Sequence, residues 1–435
     1  MSSRPGPPPA APDAGEQAPV RPAAGAAGPR PGPWVFAGAA LYAVLLAYLV
    51  RLPCRLTSWE APGTYLQLCY SDLPTLYAST GMAEGRFPYL DPSALLEYPV
   101  LQTVVASATG LVAHALSPAG NIHAGQGIYF DVNALLLGGL WAAVVLVLRR
   151  MGAGTVPVLL AALAPGVVVT ALINWDLWPV LCTVLALLAL RRSRWVLGGV
   201  LLGLGTAFKL FPFLVLGALV VLAVRRREPG PALRAAAGAA GAWAATNLPL
   251  LLLDPRQWGY FWSFSEDRGA GFSSVWHWWN GVVVPRLGSE PLTAERVNVL
   301  AFTAFGLACV LVLALGLAAR EEPSLEQLAF LVLAAFVLTN KVYSPQFVLW
   351  LVPLLVLARF RTAEFVVWQL VEVVHWAAVF TWLGHATAQL PGTEAAEDVY
   401  FATVALHTAA VGWLVVRVAA DVLRGPGGEP RGGER

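Results

Sequence analysis

The sequence predicts an all-α polytopic membrane protein, a bundle of about 12 spans, and three observations predict it. Of its 435 residues 57% are hydrophobic and only 12% charged, whereas a soluble domain carries about 25% charged residues. Apolar runs of about 20 residues, enough for a helix to cross a hydrocarbon core of roughly 30 Å, recur along nearly the whole chain. Arginine is gathered in short clusters between those runs, where cytoplasmic loops collect it. The net charge of +2 gives no case for a nucleic-acid partner.

In chain order, residues 1–33 are rich in Pro, Ala and Gly without an apolar period, so they read as a disordered cytoplasmic tail, as do residues 422–435. The start lacks the apolar core of a signal peptide, which makes the first apolar run a retained span. Between the tails lies one transmembrane domain, 34–421. Its spans are expected near 34–52, 127–148, 156–173, 177–190, 195–208, 211–224, 232–253, 296–319, 325–340, 346–358, 362–383 and 399–418.

Parity fixes the orientation. The clusters Arg149/Arg150, Arg191/Arg192/Arg194, Arg225/Arg226/Arg227, Arg320 and Arg359/Arg361 all fall inside only if the apolar stretch 99–116 does not span. It is then an interfacial or re-entrant helix within a first outer loop, 53–126. With both termini inside, the remaining polar motifs fall on the outer face. They are Tyr70 to Asn121, "NWD" at Asn174 to Asp176, "FKLFP" at Phe208 to Pro212, the aromatic loop Trp258 to Gly281, "NKVYSPQ" at Asn340 to Gln346, and Gly384 to Asp398. Polar elements converging on one face define a site, whereas a transporter is expected to place ionisable groups near the midplane of its spans.

The chemistry on that face is carboxylate, lysine and aromatic. Carboxylates deprotonate hydroxyls, lysines hold phosphate, and aromatics stack on sugars or sit at headgroup level. Asp72 is the candidate base, its bland reading being a helix N-cap that Ser71 would serve equally well. Lys209 and Lys341 are the only two lysines among 28 basic residues, read as phosphate ligands or as snorkelling helix-end lysines. His277 stands among polar and aromatic residues and reads as a ligand of phosphate or sugar, or as part of an aromatic belt. Asp131, Asp176, Glu97, Tyr98 and Tyr343 are candidates for the substrate cavity, and Asp176 reads equally as an N-cap. Glu372 and His375, one helical turn apart, read as a structural pair inside a span. Cys182 and Cys309 read as core residues, and Cys54 and Cys69 are either a disulfide or two free thiols.

The motif "YSDLPTLYASTGMAEGRFPYLD", followed by "EYPVL", "APGVVVTALINWDLWPVL", "GLGTAFKLFPFL" and "NKVYSPQFVLWLVPLL", resembles in order and spacing the GT-C glycosyltransferases, in particular glycosyltransferase family 87. The resemblance runs from about Trp59 to Leu355. It implies a GT-C-type bundle with interfacial helices in the first outer loop, and a loop aspartate, here Asp72, acting as general base on the acceptor hydroxyl. Tyr70 stands where such loops place a first acid, and a lone carboxylate is a poor cation site, so no metal and no cofactor is expected. Lys209 matches the family's "K-x-Y-P" lysine with Phe211 in place of the tyrosine, and Lys341 opens the "K-x-Y-S-P" element; both are expected to hold the donor phosphate, with His277.

The expected activity is transfer of a sugar, mannose first among the options, from a polyprenyl-phosphate donor to a glycolipid or cell-wall glycan on the outer side of the plasma membrane, with inversion. The alternative is a lipid-linked sugar flippase or transporter. It shares the composition but needs alternating access and no base in the first loop. Besides the bilayer, the expected partners are the lipid donor and the glycan acceptor.

Overall fold

In the computed structural model, residues 31–118 and 120–425 are described, and among them the regular structure is helical, without strands. The expected tails therefore lie largely outside the described residues, although the last helix continues to Arg424, three residues into the segment read as the second tail. The helices that matter here are α1 (Pro33–Leu56), α2 (Asp72–Ser79), α3 (Val100–Leu116), α4 (Ile122–Arg150), α5 (Thr155–Ala162), α6 (Pro165–Thr170), α7 (Leu177–Arg191), α8 (Trp195–Phe208), α9 (Val215–Arg226), α10 (Gly230–Leu253), α11 (Pro255–Asp267), α12 (Ala294–Ala318), α13 (Leu325–Thr339), α14 (Val348–Ala358), α15 (Thr362–Ala388) and α16 (Thr393–Arg424).

Six of these, α1, α4, α10, α12, α15 and α16, are long and apolar enough to cross a membrane by length and composition. The others at expected spans are shorter, 6 to 15 residues each, so the full count of about 12 is an expectation that length alone does not reach. Together the apolar helices fit a multi-pass membrane protein. Burial divides them. α14 is buried at every position from Val348 to Val356, the mark of a helix apolar all round and enclosed by neighbours. In contrast α10 and α12 turn Leu252 and Phe302 outward, each more than 80% exposed, as a lipid-facing helix does.

α8 and α10 pack backbone to backbone. A Cβ added at Gly199 or Gly203 would collide with the carbonyls of Ala235 and Ala239, and one at Gly238 with the carbonyl of Val196. Small residues at four-residue spacing permit this approach, which drives helix association where lipid supplies no hydrophobic force.

The apolar run 156–173 is two helices rather than one span. Pro165 lacks an N–H and biases the residue before it away from helix, so α5 ends at Ala162 and α6 starts afresh with Pro165 at its first position. A break inside a bundle leaves backbone groups that need partners, and side chains supply them. The Gly166 N–H donates to Gln369 Oε1 (3.0 Å), while Arg51 Nη2 donates to the carbonyl of Val169 (2.5 Å). After α6 the chain turns through Ala171–Asp176 before α7. The stretch 258–281, read as a loop, is helical through Asp267, and the outer stretch 384–398 shrinks to Gln389–Gly392 between α15 and α16.

Candidate active site

The turn between α6 and α7 receives the N-terminus of α2. The Asp72 N–H donates to the carbonyl of Ile173 (2.8 Å) and Ser71 Oγ donates to that of Leu172 (2.7 Å). Ser71 is also the N-cap, accepting from the Leu73 N–H. Because Ser71 does the capping, the Asp72 side chain is free to point elsewhere.

It points at two donors. Tyr70 Oη donates to Asp72 Oδ1 (2.5 Å) and Asn174 Nδ2 donates to Oδ2 (2.8 Å). Asn174 Nδ2 also reaches the Tyr98 hydroxyl at 2.6 Å, and its Oδ1 accepts from the Trp175 N–H, which orients the amide. Tyr70 is held by Phe380 and Tyr65, with ring centroids 5.1 and 5.4 Å away. Burial raises the Asp72 carboxyl above its ordinary range, against the lowering effect of the two hydrogen bonds and of Lys209, while Asp176 adds to the rise. The Tyr98 phenol is raised by burial and then by the Asp72 charge.

Beside this group a half-buried lysine pairs with a buried aspartate. Lys209, at the C-cap of α8, places Nζ 2.8 Å from Asp176 Oδ1, which also accepts from Trp350 Nε1 at 2.6 Å. The rings of Trp350 and Phe347 stand 5.5 and 5.7 Å from the ammonium. Asp176 is 1% exposed and its Oδ2 has no hydrogen-bond partner among the described residues. The Asp176 carboxylate makes no N-cap hydrogen bond; its role is to hold Lys209. An ammonium has three donors, so Lys209 retains capacity for a further acceptor.

Glu97, half-buried, is raised by burial and next by the Asp72 charge, while Arg268 lowers it. Arg268, exposed after the end of α11, was not among the residues singled out in the sequence; the only signal was its place in "SEDRGAG". It also acts on Lys341, whose ammonium is lowered first by burial and then by Arg268. Lys341 Nζ lies 3.2 Å from the carbonyl of Glu266, and its own carbonyl accepts from the Gly271 N–H (2.7 Å). Two acids, Asp72 and Glu97, are thus followed by two cations, Arg268 and Lys341.

Three candidates stand apart from the Asp72 carboxylate. Asp131 is bound by Arg55 (2.8 and 3.1 Å) and Tyr48 (2.8 Å), so it braces α4 against α1. His277 sits in an aromatic box, its ring centroid 5.5 to 6.2 Å from those of Phe272, Trp382, Tyr400 and Phe401, and burial lowers it. Tyr343 is buried and donates to Glu372 Oε1 at 3.4 Å. Asn174, which orients the Asp72 carboxylate, lies in the "NWD" motif, where only Asp176 had been a candidate. Cys54 and Cys69 form a disulfide at the end of α1, with Cα atoms 5.8 Å apart. Among the described residues no group of three His, Cys, Asp or Glu is arranged to hold a metal ion.

A carboxylate raised by burial, held by two donors and flanked by a lysine and aromatic rings, is equipped to take a proton from a hydroxyl beside a bound anion. No curated protein sequence matches the chain. The family model of glycosyltransferase family 87 matches residues 126–339, a span that holds Asn174, Asp176, Lys209 and His277 and excludes Asp72 and Lys341. The matched residues build the turn that orients Asp72 and the ion pair beside it, and by that match residues 126–339 are a glycosyltransferase family 87 region and the protein is a membrane glycosyltransferase.

Proposed function

We propose that the protein transfers a sugar, mannose in this reading, from a polyprenyl-phosphate donor to a glycolipid or cell-wall glycan acceptor with inversion at the anomeric carbon, and that Asp72 is the general base. The observation that carries this reading is the Asp72 carboxylate, oriented by Tyr70 and Asn174 and raised by burial, beside the Lys209–Asp176 pair.

In the proposed step the acceptor oxygen attacks the anomeric carbon as its proton passes to Asp72. The bond from that carbon to the phosphate oxygen breaks, and the polyprenyl phosphate leaves with the electron pair. Lys209, Lys341 and Arg268 supply positive charge for the departing phosphate, with His277 a further ligand. Glu97, Tyr98 and Tyr343 contribute to the substrate cavity, which Asp176 and Asp131 support through their cationic partners. The chemistry is independent of metal, so activity is expected to survive EDTA.

The reaction is proposed to occur on the extracytoplasmic side of the plasma membrane. The arginine-rich helix ends support this orientation, as does the disulfide beside the site, a bond that persists in oxidising compartments. The test is to incubate membranes containing the protein with a panel of radiolabelled polyprenyl-phosphate sugars and analyse lipid and glycan products. Label that crosses the membrane without forming a new glycosidic bond would replace the transferase reading with a flippase.

A further inference from the structure

Behind the candidate site, α15 and α16 enclose a second polar group that the proposed chemistry does not use. Glu372 is 3% exposed, and His375 and His407 are fully buried. Glu372 Oε1 accepts from Trp368 Nε1 (2.9 Å) and from Tyr343 Oη (3.4 Å). Its other oxygen, Oε2, faces His407 Nδ1 at 3.6 Å, and neither atom has a hydrogen-bond partner among the described residues.

Hydrogen-bond accounting places the protons. His407 Nε2 lies 3.0 Å from the carbonyl of Ser273, and a carbonyl only accepts, so Nε2 carries hydrogen. A neutral imidazole would then direct the Nδ1 lone pair at a carboxylate, two buried acceptors facing each other. One proton between them removes the conflict, and closure by a few tenths of an ångström completes the hydrogen bond. His375 stacks on His407 with centroids 3.9 Å apart. The Thr403 hydroxyl donates to the Tyr400 carbonyl, so it accepts from His375 Nδ1 at 3.1 Å, which fixes His375 with its hydrogen on Nδ1.

We propose that Glu372 and His407 share one proton, and that the pair is a positioning latch fixing the 271–277 segment and Tyr343 beside the candidate site. His407 grips Ser273, Tyr400 Oη donates to the carbonyl of Phe272, and Trp276 Nε1 donates to that of Thr339 (2.9 Å). The Gly271 N–H is tied to the Lys341 carbonyl, so the latch sets where His277 and Lys341 stand. Its bearing on donor binding rests on the function proposed above; the proton assignment does not.

The experiment uses the full chain in lipid nanodiscs at neutral pH. Histidine ¹⁵N and glutamate side-chain ¹³C resonances report the protons: His407 Nε2 is expected to bear hydrogen, with one further proton on His407 Nδ1 or on Glu372. A bare Nδ1 opposite a fully ionised Glu372 overturns the assignment. Two variants then separate the latch from simple packing. Glu372→Gln offers an amide N–H to Nδ1, so hydrogen exchange of 271–277 should stay near wild type while Nδ1 reads as an unprotonated acceptor. Glu372→Ala removes the partner, and exchange in the segment should rise by roughly tenfold. Equal exchange in Glu372→Ala and wild type, or equal loss in both variants, overturns the latch. In the transfer assay Glu372→Ala should raise donor KM with kcat little changed; a fall in kcat alone would leave the proton assignment standing and remove the link to donor binding.

Discussion

The Asn174 side-chain nitrogen lies 2.8 Å from Asp72 Oδ2, joining residues 102 positions apart in the chain. The same nitrogen contacts the Tyr98 hydroxyl, so one amide orients a carboxylate and a phenol from two parts of the first loop. Asp72 is therefore held by contacts to its own loop and to the turn after α6, and its orientation depends on the break in the apolar run.

Asp72→Asn is expected to fold, insert and lose about 10²–10⁴-fold in turnover, the usual contribution of a general base. Its thermal stability should hold or rise at neutral pH. A carboxyl raised on folding favours the folded state at low pH, an advantage lost as pH climbs through the folded value, and the amide escapes that loss. Near-wild-type turnover would remove Asp72 from the chemistry.

The pH profile should show an acidic limb above the ordinary aspartate range, since burial raises Asp72. Tyr70 lowers the carboxyl by donating to it. In Tyr70→Phe the limb should accordingly move to higher pH, as measured by kcat/KM across pH. A shift towards acid would contradict the direction of this hydrogen bond.

Lys209 has a structural task as well as a proposed chemical one. Lys209→Met leaves Asp176 buried without its cation and should cost about 3–5 kcal/mol, as breaking a buried pair does. The double variant Lys209→Gln with Asp176→Asn should recover most of the stability and little of the activity. Recovery of both in thermal and transfer assays would mean that the lysine only neutralises Asp176.

Lys341→Gln and Arg268→Gln should each raise donor KM, a charge-assisted contact being worth about 1.5–3 kcal/mol, while acceptor KM barely moves. Lys341→Arg should rescue only partly, because a planar fork replaces a compact charge. Collapse of acceptor affinity with normal donor affinity would move these cations to the acceptor's side of the site.

The helices were legible because apolar runs and arginine clusters mark them, and Asp72 because an acid beside a ready N-cap, Ser71, is spare. The break at Pro165 was hidden in continuous apolar sequence. Gln369, Arg51 and Trp141, supplied from other helices, bond the backbone groups beside it, and such pairings leave no local pattern. The same holds for Lys209 and Asp176: each was visible as a charge near a helix end, but their 33-residue separation gave no sign of their contact.

The Arg51 and Arg55 contacts reach beyond the finished fold to the making of the protein. Both lie in the last turns of α1, and the partners that cover them, the Val169 carbonyl and the Asp131 carboxylate, are translated about 118 and 76 residues later. An emerging chain presents α1 with two uncovered cations at the end opposite its N-terminus, each opposing membrane integration by about 2.5–3.5 kcal/mol at the centre of a span and less towards its ends. Secure integration of the first span therefore waits on α4 to cover Arg55 and on α6 to cover Arg51, and chains truncated before Asp131 should integrate α1 less completely than chains that extend past Val169.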